Sequence, residues 1–238
     1  MNNDKINEFT QQAWNPLTGC SKISSGCMNC YAEKDAYRQR DLFKNPKYKN
    51  GFDLTLHEEV LENPNYWKKP KRIFVNSMSD LFHEDVPVEF ILRAFSVMQD
   101  NPQHLYIILT KRADILERLS PELPWIDNIL MGVTVEEERY KWRIDCLRNS
   151  GAIRKMISAE PLLSDLGELN LSGIDWMMVG GESGENCRPM EKAWVLSIRD
   201  QCESQDTEFT FKQWGGVYRR ENGSILDERH YDYMPEPW

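Results

Sequence analysis

Apolar positions along the chain change their period several times, and the changes outline the fold. Ile73-Phe74-Val75, Leu105-Tyr106-Ile107-Ile108-Leu109, Ile129 to Val135, Arg154 to Ala159, Trp176 to Val179 and Phe209 to Phe211 are short, mostly apolar runs. Runs of this length read as strands buried on both faces. Between them the apolar residues take helical spacing. Phe90, Ile91, Ala94, Phe95 and Met98 follow Pro87, which suits a first helical turn. Helices are also expected over Ala113 to Leu119, over Glu136 to Asn149 with Gly151 as the stop signal, and over Ala193 to Cys202. A first strand within residues 9 to 14 and a helix over Tyr31 to Phe43 precede this array. Asn45 to Pro70, broken by Pro46, Gly51 and Pro64, reads mostly as loop.

Alternating strands and helices of this size imply a parallel sheet covered by helices. The expected fold is α/β: a single partial (β/α) TIM-type barrel of about six to seven parallel strands. An open doubly wound sheet is the alternative. One domain is expected over 1–238, with a long basic loop insertion at about 44–72. A polar C-terminal extension at about 218–238 carries a turn at Asn222-Gly223, as in a terminal hairpin.

Composition narrows the class. No apolar run is long enough to span a membrane, and Met1-Asn2-Asn3-Asp4-Lys5 lacks the apolar segment of a signal peptide. A cytoplasmic protein is expected, with reduced thiols. The net charge of −9 argues against indiscriminate nucleic-acid binding. From Lys34 to Arg72, however, ten Lys and Arg face six Asp and Glu. Lys44, Lys47, Lys49, Lys68, Lys69, Lys71 and Arg72 are interleaved there with Tyr48, Phe52, Tyr66 and Trp67. Cations meet phosphates and aromatic rings stack on bases; a solvated loop is the plainer reading.

In a βα barrel the active site lies at the C-terminal strand ends. That rule selects Asn76, Ser77, Ser79 and Asp80, then Thr110-Lys111-Arg112, Thr134 and Glu136, Ser158 and Glu160, Gly180-Gly181-Glu182-Ser183-Gly184, and Lys212-Gln213-Trp214-Gly215. The glycines of the fifth group lack the spacing of a phosphate loop.

The densest chemistry lies earlier. Three of the six cysteines, Cys20, Cys27 and Cys30, fall within eleven residues in a C-x₆-C-x₂-C pattern. Structural zinc sites and ferredoxin clusters take four protein ligands. Three thiolates on one loop suit an iron–sulfur cluster with one open iron; zinc with a distant fourth ligand is the other reading. Cys146 and Cys202 fall in expected helices as packing residues.

Three clustered cysteines at the start of a strand–helix array resemble the radical S-adenosylmethionine (radical SAM) superfamily. Its common spacing is C-x₃-C-x₂-C with an aromatic residue before the last cysteine; here the first gap is six residues and Tyr31 follows Cys30. Trp14-Asn15-Pro16-Leu17-Thr18-Gly19-Cys20, Val179 to Gly184 and Phe211-Lys212-Gln213-Trp214-Gly215 further resemble a family of phage and prophage proteins marked by a three-cysteine motif. The resemblance implies a 4Fe–4S cluster on Cys20, Cys27 and Cys30 whose open iron chelates SAM and yields a 5′-deoxyadenosyl radical. It implies cofactor-binding roles for Ser77, Ser79 and Asp80 at the SAM amino group. Thr134, Glu136 and Glu160 would meet its ribose and carboxylate, and Gly180, Gly181 and Glu182 would line adenine or substrate. The candidates for catalysis are Cys187, as a hydrogen-atom donor, with a merely structural cysteine as its plainer reading, and Lys111, Arg188 and Lys212, as carboxylate-holding cations.

The substrate expected from the phage resemblance is DNA. An amino-acid-modified thymine would be rearranged from a nitrogen-linked to a carbon-linked adduct, with flavodoxin or ferredoxin as reductant and the host cytoplasm as location. Radical modification of tRNA or peptide, a zinc-stabilised nucleic-acid-binding module, and a hydrolase on the same barrel are the competing readings.

Overall fold

The computed structural model describes residues 9–235; the polar Met1–Lys5 segment lies outside them. Seven parallel strands form one sheet in the order β1 (Gln12–Trp14), β4 (Arg72–Val75), β5 (Leu105–Thr110), β6 (Ile129–Thr134), β7 (Arg154–Ala159), β8 (Trp176–Gly180) and β9 (Glu208–Gln213). The two short strands omitted from that order, β2 (Leu17–Thr18) and β3 (Thr55–Leu56), pair antiparallel beside the cysteine loop. β1 and β9 are both edges, so the sheet is a partial TIM-type barrel, as the apolar runs imply.

The helices are α1 (Tyr31–Asp41), α2 (Glu58–Leu61), α3 (Val88–Asp100), α4 (Ala113–Leu119), α5 (Trp142–Asn149), α6 (Lys192–Ser204) and α7 (Arg219–Asn222). Successive strand residues point to opposite faces. Val75, Ile108, Met131, Ile157, Val179 and Phe211 therefore join the helices in the large outer core. Ile107, Leu130, Met156, Trp176 and Met178 fill the concave side with Phe9, Phe74 and Met234. The C-terminal segment crosses the open side of the sheet: Phe211 donates its N–H to Tyr231 O, and Thr210 its hydroxyl to Tyr233 O. None of the helices described is long and apolar enough to cross a membrane.

The helix expected over Glu136 to Asn149 ends at Asn149 as the pattern predicts, but its start and its stop signal differ. Glu138–Tyr140 is a separate 3₁₀ turn, and α5 starts only at Trp142. Before these elements the Glu136 side chain turns into the barrel mouth, where it accepts the Ser24 hydroxyl and pairs with Arg143. At the other end, Ser150 closes α5 in an extended conformation, and Gly151 is not its left-handed cap. A Cβ on Gly151 would lie 2.6 Å from Trp125 Cδ1, so close packing accounts for the glycine. The terminal hairpin exists, but it joins β10 (Ile225–Leu226) to β11 (Arg229–His230). Its turn is Asp227-Glu228, both with positive φ, whereas Asn222 donates its side-chain N–H to Gly215 O.

The concave layer tests this packing. A Cβ on Gly132 would sit 2.5 Å from Leu109 Cδ2 and 2.6 Å from Met156 Cγ. Gly132→Ala is expected to cost about 1–3 kcal/mol by overpacking, read as a lower urea midpoint; an unchanged midpoint would mean that the layer is loosely filled.

Candidate functional site

The cysteine loop follows β2 and lies across the C-terminal end of the sheet. At its start, Gly19 donates its N–H to Met78 O, and its φ of +85° belongs to the left-handed region that favours glycine. Cys20, Cys27 and Cys30 are all free and half-buried, and Cys20 and Cys30 pack against one cluster containing Ala32, Tyr48, Phe52 and Met78.

Two carboxylate–arginine pairs hold this loop. Glu136, just past β6, is fully buried and pairs with Arg143 of α5 at 2.8 Å. The same carboxylate accepts the Ser24 hydroxyl, and a Cβ on Gly26 would fall 2.8 Å from its Oε1. Glu182, past β8, accepts from Arg188 N at 2.8 Å and Arg188 Nε at 2.9 Å. It also accepts from Asn29 Nδ2 at 3.1 Å. Arg188 then donates to Ser25 O at 3.0 Å. The loop between Cys20 and Cys30 is thus gripped at Ser24, Ser25 and Asn29 from two strand ends.

A third cation serves Cys20. Arg112 is buried, donates to Cys20 Sγ at 3.4 Å and pairs with Asp80 at 3.2 Å and Glu84 at 2.5 Å. Asp80 also accepts from the Thr110 hydroxyl and the backbone N–H groups of Phe82 and Lys111. Burial and the Asp80 carboxylate push the Cys20 thiol up to about 11, against the pull of Arg112. Burial acts upward on Cys27 too, but the Lys111 ammonium and hydrogen bonds at Ile23 and Ser24 outweigh it and leave that thiol below its usual value.

Strand alternation places Lys111, Thr134, Ser158, Glu160 and Lys212 on the concave face above the apolar floor. Glu160 accepts from Lys212 Nζ at 2.8 Å and Gln213 Nε2 at 3.2 Å. Gly180 lies under Glu160, where a Cβ would come within 3.2 Å of its Oε1, and Gly181 packs against Trp214 O. Of the three candidate cations, Arg188 and Lys212 are each paired to a carboxylate, and no ion pair is found for Lys111 among the described residues. Ser77 and Ser79 donate their hydroxyls to Asn15 Oδ1 and Leu17 O, tying β4 to the β1–β2 connection. Cys187 is half-buried in the Glu182–Arg188 loop.

Several residues of the site escape sequence reasoning. Arg143 lies in the segment after β6 with Tyr140, whose ring it covers at 4.2 Å and whose hydroxyl accepts the Ser25 N–H at 3.4 Å, and Ser24 and Asn29 lie between the cysteines. A buried arginine in an otherwise apolar helix face is the available signal for Arg143. The basic segment divides. Cys20 donates its N–H to Phe52 O at the mouth, whereas Trp67 packs on His104 beside the N-terminal start of β5. Lys44 to Phe52 and Trp67 to Arg72 therefore lie at opposite ends of the barrel.

Three free thiols on one loop, with Arg112 donating to one of them, are a ligand set chemically suited to an iron–sulfur cluster. Zinc at about 2.3 Å from each sulfur would draw its thiolates to within about 4 Å of one another. Among the described residues no group of three His, Cys, Asp or Glu is placed to hold a metal ion as the side chains stand. The mouth also holds buried polar atoms without partners: both polar atoms of Asn76, Ser25 Oγ and Gln213 Oε1. Each costs about 1–3 kcal/mol if left unmet, so a polar ligand there would be stabilised.

Fold and site together define a partial βα barrel with a three-cysteine loop clamped across its mouth. The chain belongs to the family described as Protein of unknown function (DUF5131), whose profile matches residues 3–235. No curated protein and no solved structure matches it.

Removing one partner of the Glu136–Arg143 pair strands a buried charge. Glu136→Ala is expected to destabilise by about 3–5 kcal/mol, measured by urea unfolding, and Glu136→Leu with Arg143→Met by much less. Equal losses in both variants would place the role of Glu136 elsewhere.

Proposed function

We propose that this chain is a radical SAM enzyme whose cluster ligands are Cys20, Cys27 and Cys30. The observation that carries the reading is a loop with three free, half-buried thiols, fixed over the mouth of a partial βα barrel by Glu136 and Glu182. When bound, a 4Fe–4S cluster with SAM on its open iron supplies a 5′-deoxyadenosyl radical. The chain's own residues do the rest. Arg112 donates to Cys20 Sγ, and Lys111 is the cation available to a carboxylate of cofactor or substrate. Glu160, with Lys212 and Gln213, offers polar contacts to a ribose or amino group. The apolar floor of Leu130, Met156 and Met178 closes the mouth from below and excludes water.

The proposed substrate is an amino-acid-modified thymine in DNA, rearranged from a nitrogen link to a carbon link with no change of mass. Such a base must leave the stack to reach a barrel mouth. A ferredoxin or flavodoxin would supply the electron.

Anaerobic reconstitution tests the reading. The protein should take up about four iron and four sulfide per chain, and SAM with dithionite should release 5′-deoxyadenosine. Cys20→Ala, Cys27→Ala and Cys30→Ala should each lose the iron, whereas Cys146→Ala and Cys202→Ala should keep it. With DNA bearing glycine-modified thymine, the nucleoside should change retention at constant mass. A colourless protein holding one zinc would contradict the cofactor; turnover of tRNA or peptide instead of DNA would contradict the substrate alone.

A further inference from the structure

α1 is built inside out. Its small residues Ala32 and Ala36 are buried against Tyr48, Phe52 and Met78, while Tyr31, Lys34, Tyr37, Arg38 and Leu42 face solvent. Helical spacing puts these five on one side. Six of the thirteen exposed large apolar residues described, from Ile23 to Phe43, lie in the cysteine loop and α1 or just past it. A surface helix ordinarily turns such residues inward. The outward set is interleaved with cations: Arg38 lies 5.2 Å from the Phe43 ring and Arg40 4.9 Å from the Tyr37 ring. From Tyr31 to Lys49 six Lys and Arg face three Asp and Glu, in a chain of net charge −9.

A cleft of about 280 Å³ joins this face to the cysteine loop, lined by Asn29, Tyr31, Ser183, Gly184 and, from α1, the cations Lys34 and Arg38 with one carboxylate, Asp35. Asn29 precedes Cys30 and is held by Glu182 and Asn186 O. The cleft thus runs from the aromatic face to the rim of the site.

We infer that the outward face of α1, with Phe43 and Lys44, is a docking surface for single-stranded nucleic acid. Its rings stack on bases and its cations follow the phosphates, which leads the strand along the cleft to the barrel mouth. Flat rings alternating with Lys and Arg suit unstacked bases, whereas a duplex hides its base faces. The local positive charge selects a polyanion within an acidic protein. This inference rests on the nucleic-acid reading of the proposed function and moves the grip from the divided 44–72 segment to α1.

The test is fluorescence anisotropy of the full chain with a labelled thymidine strand of about twelve nucleotides and with a duplex of the same length. The strand should bind more tightly than the duplex. Its log affinity should fall with log salt at a slope of about −2, as expected for about three phosphate contacts to single-stranded DNA. Phe43→Ala and Arg38→Ala should each weaken binding about tenfold. Lys68→Ala with Lys69→Ala, at the far end of the barrel, should leave it unchanged. Iron uptake should be the same in all of them, so the surface and the cluster are judged separately. No binding of the strand, equal binding of the duplex, or loss only in the Lys68/Lys69 variant would overturn the inference. So would a dimer that Phe43→Ala dissolves in a protein that binds no strand.

Discussion

Everything at the mouth depends on how a loop with little local structure is held still over the end of a rigid sheet. Residues 19 to 30 contain only a single 3₁₀ turn, Ser25–Cys27, so little of their order is local. The order comes from Glu136 and Glu182, each fixed by its own arginine and each reaching the loop through a side chain between the cysteines. A buried carboxylate beside an arginine is costly to desolvate and gains only if its remaining lone pairs are used. Here the loop uses them. The cost of burying Glu136 is offset by contacts that also set the spacing of Cys20, Cys27 and Cys30.

That arrangement separates residues that hold the site from residues that remain available to a ligand. Glu136, Glu182, Asp80, Ser77 and Ser79 are engaged with neighbouring protein groups. Lys111, Asn76 and Gln213 retain capacity. Asn76 sits at the end of β4 with a φ of +58° and both side-chain polar atoms unmet. A strained, buried and unsatisfied amide beside the site is the pattern expected where a ligand completes the bonding.

Much of the barrel was legible because strands buried on both faces leave continuous apolar runs, and six such runs mark six of the seven strands. β1 has only three residues and no such run, and its place follows from pairing with β4. The late start of α5 was not legible, and neither was the partner of Glu136 just before it, since Ser24 lies more than a hundred positions earlier. The same limit applies to the site. Strand-end position identified Glu136, Glu160 and Glu182 as mouth residues, but only tertiary contacts show which partners they take. The inverted face of α1 was hidden for a different reason: its composition is ordinary, and only burial reveals that alanines face inward.

The central claim is that three loop cysteines leave one iron open to SAM. Mössbauer spectroscopy of the ⁵⁷Fe-reconstituted protein, recorded with and without SAM, tests it most directly. The account predicts that about one iron in four changes its isomer shift when SAM is added, while the other three keep theirs. Four irons that all ignore SAM, or a spectrum without a cluster, would contradict it.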